Sequence, residues 1–305
     1  MTVDTHGDVT GEYQALHRAV GFVSGQHALV RVTGPDAESF LDSLLSQQLV
    51  GLPEGTVVRS LLLGPRGKLR ALMWVARFGD EFLLIADAGV AVNVVGDLTR
   101  FKLRVQLEIG DPEPIFDLIG PGAPDVADGV ERTLAAPLGT LDRFFVMGAD
   151  PGALVSAGAI PVGALASTAV RVEMGEPVMD RDVDDSTIPQ EAGVVAESVS
   201  FTKGCYLGQE LVARIDSRGH VNRHLRGLVL TENALPPEGA EVYAGDGVVG
   251  AITSVSESLL VGAPIGLGLI RREVEPGARV DIRWPGGRAA AEVRTLPLLP
   301  LIADR

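Results

Sequence analysis

Leu29, Val30 and Val32 form a short apolar run that ends at Gly34-Pro35-Asp36. This is the pattern of a strand passing into a helix, because proline suits a first helical position and an acidic side chain favours a helix N-terminus. Ala37, Phe40, Leu41, Leu44, Leu45 and Leu49 then recur at helical spacing and predict an amphipathic helix. A three-stranded meander is expected at Val57–Leu63, Lys68–Phe78 and Glu81–Ala86, turning at Gly64-Pro65-Arg66-Gly67 and Gly79-Asp80. A second helix is read over Val90–Lys102. Beyond it Leu103, Val105, Leu107 and Ile109 alternate with Arg104, Gln106 and Glu108, as in a half-buried strand. Strand, helix, strands, helix, strand is close to a ferredoxin-like unit.

A second unit begins where Phe116-Asp117-Leu118-Ile119-Gly120-Pro121 repeats the strand-then-Gly-Pro pattern, with later strands predicted at Leu141–Met147 and Thr168–Met174. From His224 onward the pattern changes to short strands and turns. Candidates are Leu225–Leu230, Glu241–Ala244, Val248–Val255, Ile265–Ile270, Arg279–Trp284 and Ala289–Arg294. Six strands at this spacing predict a small barrel or sandwich. The fold class is therefore α+β: a duplicated ferredoxin-like part over residues 20–222 (units 20–112 and 113–222), then a β-barrel over 223–305.

Composition narrows the function. The 305 residues are 46% hydrophobic and 22% charged, an ordinary soluble globular balance. Forty acidic against 26 basic residues give a net charge of −14, which disfavours direct nucleic-acid binding, since that depends on many phosphates being neutralised. Residues 151–170 carry no charge and have the length of a membrane span, but Pro151 and Pro161 interrupt them. They read as a short helix, a turn and a buried strand, and no membrane association is expected. The start of the chain is polar, with Asp4, Asp8 and Glu12, and lacks the pattern of a secretory signal. A single cysteine favours a reducing compartment, and a cytoplasmic location is expected.

That cysteine lies in Lys203-Gly204-Cys205-Tyr206-Leu207-Gly208-Gln209-Glu210. Leu207, Leu211, Val212 and Ile215 mark a helix beginning just after it, with Gly219 as its stop. A helix N-terminus and the Lys203 ammonium would both stabilise a Cys205 thiolate and lower its pKa; an inert buried thiol is the plain alternative. Asp180, Asp182, Asp184 and Glu191 have calcium-loop spacing, but Asp185 stands where the turn needs glycine. The segment reads instead as a solvated acidic loop. Cys205, His220 and His224 lack the paired spacing of a zinc site, and no stable metal centre is expected.

Taken in order, Arg171-Val172-Glu173-Met174-Gly175, Ile188-Pro189-Gln190-Glu191, Lys203 to Glu210, Arg218-Gly219 and Asn222-Arg223 resemble the YgfZ family of folate-binding proteins, relatives of the glycine-cleavage T-protein. The resemblance implies domains arranged around a central cavity that binds tetrahydrofolate or its formyl or methyl derivative. It also implies a role with iron–sulfur client or assembly proteins. It assigns the pterin-binding carboxylate to Glu173, further folate contacts to Arg171, Tyr206 and Gln209, and reactive or ligating roles to Cys205 and Lys203. T-proteins carry an aspartate pair after the hairpin glycine, where this chain has Arg70 and Ala71. Arginine stays protonated and cannot act as a base, so aminomethyl transfer by that route is not expected. A folate-dependent one-carbon transferase and a non-enzymatic adaptor with a vestigial cavity stand as alternatives.

Overall fold

The computed structural model describes residues 3–299; residues 1–2 and 300–305, at the ends of the expected N-terminal segment and barrel domain, lie outside it. In chain order the elements are α1 (Val9–Arg18), β1 (Gly21–Thr33), α2 (Ala37–Leu44), β2 (Val57–Leu63), β3 (Leu69–Phe78), β4 (Glu81–Asp87), α3 (Ala91–Phe101) and β5 (Glu108–Ile109). They continue with β6 (Glu113–Ile119), α4 (Ala123–Ala127), β7 (Thr133–Ala135), β8 (Arg143–Val146), α5 (Pro151–Ser156), β9 (Ile160–Val162) and α6 (Ala164–Met174). Two short helices, α7 (Pro189–Ala192) and α8 (Val195–Ser198), precede α9 (Gln209–Arg218). The last six strands are β10 (Arg223–Leu230), β11 (Glu241–Ala244), β12 (Gly247–Ser258), β13 (Ala263–Arg271), β14 (Arg279–Trp284) and β15 (Gly287–Arg294).

The two expected units share one sheet. Its path runs β2-β3-β4-β1-β6-β8-β7, and β5 and β9 also pair with β1. Strand β1 is the seam. Residues 27–33 pair with β4 and 21–23 with β9 along one edge, while 21–29 pair with β6 and 32–33 with β5 along the other. One face of the sheet packs Val30, Val32, Met73 and Leu84 against Phe40, Leu41, Val94 and Leu98 of α2 and α3. Each such buried side chain contributes about 1.5–3 kcal/mol. The other face carries Leu29, Trp74, Ile85 and Phe145 together with polar groups described below. Strands β10-β13-β12-β11-β14-β15 form the expected closed barrel.

Several expectations are corrected. Thr168–Met174 is the second half of helix α6, not a strand. Its residues from Ala166 onward are almost all buried, so no polar face reveals the helical period. The strand expected over 103–109 shrinks to Glu108–Ile109, because Arg104 takes a left-handed φ of 58° that breaks extended pairing. Helix α2 ends at Leu44 rather than reaching Leu49. Strand β1 starts eight residues earlier than its apolar run, and the polar N-terminal segment contains a helix, α1, whose Tyr13, Ala15 and Leu16 are buried.

Candidate functional site

The Lys203–Glu210 segment is pinned on both sides of its cysteine. Lys203 Nζ donates to the carbonyls of Asp42, Leu45 and Gln47, the open C-terminal end of α2 and the loop after it, and lies 3.2 Å from Asp42 Oδ1. Burial pushes its pKa down, with Asp42 opposing. Tyr206 is buried among Leu61, Leu63, Leu72 and Val212, with the Lys203 ammonium 5.6 Å from its ring centre. Gly208 has φ 81° and leaves no room for a side chain: a Cβ would meet the Gly64 carbonyl at 2.7 Å. The Gly64–Gly67 hairpin therefore abuts the start of α9. Gln209 Oε1 accepts from the Tyr206 N–H at 3.4 Å. Cys205, between the buried Lys203 ammonium and the buried Tyr206, is exposed.

This corrects the expected geometry of the motif. Lys203 is buried and Cys205 exposed, so the two do not face one cavity, and the lysine's three donors are already engaged. Helix α9 starts at Gln209, four residues past the cysteine, whereas dipole effects fall off within a turn. The motif is a clamp that presents a thiol.

Glu173 and Arg171 lie on the same helix but on different sides, since two residues turn an α-helix by about 200°. Glu173 is fully buried. Its carboxylate accepts from Tyr13 Oη and Ser258 Oγ and contacts His17 Nε2 at 2.9 Å, joining α6 to α1 and to the barrel. Burial, with the neighbouring Glu173, pushes the Tyr13 hydroxyl pKa up, keeping it a donor. Glu173 thus closes a joint, and the three cavities described below are lined by other residues. Arg171 Nη1 donates to Asp182 Oδ2 (2.6 Å) and to the Glu176 carbonyl, and Nη2 to Ser254 Oγ (2.6 Å). Thr253 and Ser254 also donate to Asp182 Oδ1. The acidic segment is therefore partly buried, correcting the solvated-loop expectation: Asp182 docks it between α6 and the barrel. Among the described residues no group of three or more His, Cys, Asp or Glu side chains is arranged to hold a metal ion.

A different set of residues converges beside Arg171. A cavity of about 400 Å³ is lined by Gln26, His27, Asp87, Arg143, Ser167, Thr168, Arg171, Glu176 and Met179, among others. His27 on β1 meets Asp117 of β6 through Nδ1 at 2.8 Å, and its Nε2 stands 3.7 Å from Asp87 Oδ1 at the end of β4. Burial works against a charged imidazole, but the Asp117 and Asp87 carboxylates outweigh it and hold its pKa above the usual 6.5. Burial raises Asp87, with His27 partly offsetting it. Arg143 of β8 grips Glu176 with both terminal nitrogens, at 2.8 and 3.3 Å. Although burial opposes ionisation, Arg143 and Arg59 bring Glu176 down to about 2. Trp74 lies beneath, with the Arg143 and Arg59 guanidinium carbons 4.6 and 4.9 Å from its ring centre.

Two further recesses adjoin. One of about 620 Å³ shares Glu176 and is lined by Arg59, Trp74, Gly193 and Leu296. The other, about 1230 Å³, runs between α9, the 180–184 segment and the barrel. Size favours the last, but most of its charged lining groups, Asp184, Arg214, Arg271 and Glu273 among them, are exposed. Convergent buried polar groups favour the 400 Å³ cavity. Sequence reasoning missed His27, Asp87, Asp117, Arg143 and Glu176. No local spacing marks them, since His27 and Asp117 are 90 residues apart and meet only through the β1–β6 pairing. At the hairpin Ala71 is buried in the α2–α3 core and Arg70 pairs with Asp97 at 2.8 Å.

Comparison with known proteins gives this geometry a lineage. Residues 3–150 match the profile of the GCVT N-terminal domain, and residues 223–299 that of the glycine cleavage T-protein C-terminal barrel domain. An aminomethyltransferase of Corynebacterium jeikeium is 25% identical, covering 94% of this chain and 89% of its own. The tRNA-modifying protein YgfZ of Cronobacter sakazakii is also 25% identical, over 88% of this chain and 90% of its own. In three dimensions the crystal structure of the glycine cleavage system aminomethyltransferase T from Bartonella henselae superposes with a TM-score of 0.87 at 21% identity, over 98% of this chain and 91% of that one. The nine-stranded sheet and the closed six-stranded barrel are thus the local form of a shared fold, and the chain belongs to the YgfZ/T-protein-like family.

Proposed function

We propose that this protein binds tetrahydrofolate, or its formyl or methyl derivative, and acts as an accessory to the assembly, maintenance or repair of iron–sulfur enzymes. The observation that carries the folate half is the 400 Å³ cavity, within the usual range of about 300–1,000 Å³ for small-molecule sites. A reduced pterin presents hydrogen-bond donors and acceptors side by side on one edge, and the wall offers both kinds of partner in Asp87, His27 and the Arg143–Glu176 pair. Arg181, also on the lining, suits the carboxylates of the folate tail. Bound folate would supply a one-carbon carrier. The chain's own residues hold it, exclude water and fix its orientation. Glu173 supports the site from behind by holding α6, and Tyr206 and Gln209 hold the segment that presents Cys205. The carboxylate role toward the pterin passes in this reading to Asp87.

The T-protein reaction itself is disfavoured, because no carboxylate stands at positions 70 and 71 and Ala71 is sealed in the core. The accessory half rests on the family likeness and on Cys205 being exposed while its neighbours are clamped. Calorimetric titration with tetrahydrofolate and its 5-formyl and 5-methyl forms tests the first half; no heat from any of the three overturns it. For the second, cells whose only copy carries Cys205→Ser should lose iron–sulfur enzyme activity while retaining the protein. Full activity would remove the thiol from the account.

A further inference from the structure

His27 is the cavity group whose protonation state decides whether the wall offers a ligand a donor or an acceptor. Its Nδ1 is fixed on Asp117, and Trp74 and Phe145 set the ring plane from 5.2 and 5.1 Å. Its Nε2 is left facing the cavity, with the nearest carboxylate, Asp87, at 3.7 Å, beyond hydrogen-bonding distance. Asp117 Oδ1 is buried with no partner among the described residues, so its charge is answered chiefly by the imidazole. The groups facing one another are Asp117 from β6, Asp87 from β4, Glu176 after α6, Arg143 from β8 and Arg59 from β2, with Arg171 of α6, paired to Asp182, also acting on Asp87. Asp180 and Arg181 add one charge of each sign on the lining. With these two balanced pairs set aside, three carboxylates face two guanidiniums, and the cluster becomes neutral when His27 is an imidazolium. Arg143 is already committed to Glu176 in two-pronged fashion.

Resting on the folate reading of this cavity, we propose that His27 and Asp87 form a proton-dependent reading pair. His27, as the imidazolium, gives its Nε2–H to an acceptor atom of the ligand, and the adjacent Asp87 carboxylate receives a neighbouring N–H. The pair selects a planar heterocycle with a lactam-like edge, acceptor and N–H donor side by side, as the oxo pyrimidine ring of a pterin has. When His27 loses its proton, Nδ1–H remains on Asp117 and Nε2 becomes a lone pair. It then opposes the oxo group and favours a ligand bearing an amino group there. Ligand choice is thereby linked to pH. The raised pKa of His27 places the switch above 6.5.

Two measurements on the intact protein test this. Nitrogen-15 NMR of the free protein, with His27 identified by its absence in His27→Gln, should find both ring nitrogens protonated at pH 6 and Nε2 losing its proton at a midpoint above 6.5. Titration with 5-formyltetrahydrofolate between pH 6 and 9 should then lose up to about tenfold in affinity per pH unit above the His27 pKa. In His27→Gln binding should be about tenfold or more weaker at low pH and flat with pH. Asp117→Asn should bring the decline to lower pH. With wild-type protein, a 4-amino pteridine analogue should be rejected at pH 6.5 and gain on the oxo compound as the pH rises. A His27 midpoint at or below 6.5, or 5-formyltetrahydrofolate affinity that is flat with pH and unchanged in His27→Gln, overturns the pair while leaving the folate reading intact. Absence of binding by the wild type at every pH overturns the folate reading, and the reading pair with it.

Discussion

Three side chains from the two sequence motifs do different work from what residue type alone implies. Glu173 is held by Tyr13, His17 and Ser258, and removing one partner of a buried charged network typically costs about 3–5 kcal/mol. Glu173→Ala should therefore lower unfolding stability by about that much in urea titrations. Unchanged stability together with lost folate affinity would instead restore Glu173 to direct ligand contact. Lys203→Met, which orphans the carbonyls of Asp42, Leu45 and Gln47, should cost about 1.5–3 kcal/mol. Cys205→Ser should stay within about 0.5 kcal/mol of wild type, because the thiol is exposed. The two motif residues read as a reactive pair thus separate cleanly in one denaturation series.

At the scale of elements, α6 is the hub. It faces the cavity through Ser167, Thr168 and Arg171, and reaches α1 and the barrel through Glu173. Gly163 opens the helix and Gly175, at φ 75°, closes it. Arg171 and Asp182 staple α6 to Ser254 of β12, and the 178–183 segment to both. Asp182→Asn weakens this staple without removing bulk. Amide hydrogen exchange should then rise in β12 and residues 178–183 while the β1–β4 pairing keeps its protection. Equal loosening of the nine-stranded sheet would show that the staple holds the whole fold rather than the barrel joint. The motif around Arg171 was legible in the sequence, but its helical state was not: burial on all sides erased the polar face that reports helical period.

For the whole molecule, the buried charges set opposite pH limits. Against the opposing effect of burial, Arg143 and Arg59 hold the Glu176 carboxyl down to about 2 from an ordinary 4.5, so its contribution is fully present above about 4.5 and is lost as pH falls toward 2. Acid unfolding should show a stability decline in that window which Glu176→Gln flattens. A decline of equal steepness in that variant would assign the acid limit to other carboxylates. His27 has the opposite sign: its pKa is raised, so its contribution is present below 6.5 and is lost as pH rises through the folded value. Both limits arise from one cluster on one face of the sheet, built from β1, β2, β3, β4, β6 and β8 with the residue that follows α6.

The sequence by itself determined the α+β class, the first meander and the barrel strands, while α1 and the helical state of α6 escaped it. Alternation marked the hairpins of the first sheet and all six barrel strands, since a half-buried strand must alternate and a turn must use residues that tolerate it. The sequence also singled out the Lys203–Glu210 segment through its lone cysteine, and through the family resemblance Glu173 and the lack of a carboxylate at positions 70 and 71. What each constrained residue touches was decided only in three dimensions. Lys203 reaches the end of a helix some 160 residues earlier in the chain, and Glu173 reaches a tyrosine 160 residues away. The His27 pair forms because β1 lies between β4 and β6. Periodicity encodes which side of an element is buried, but the identity of the group across the gap depends on strand order, and strand order is a property of the assembled sheet.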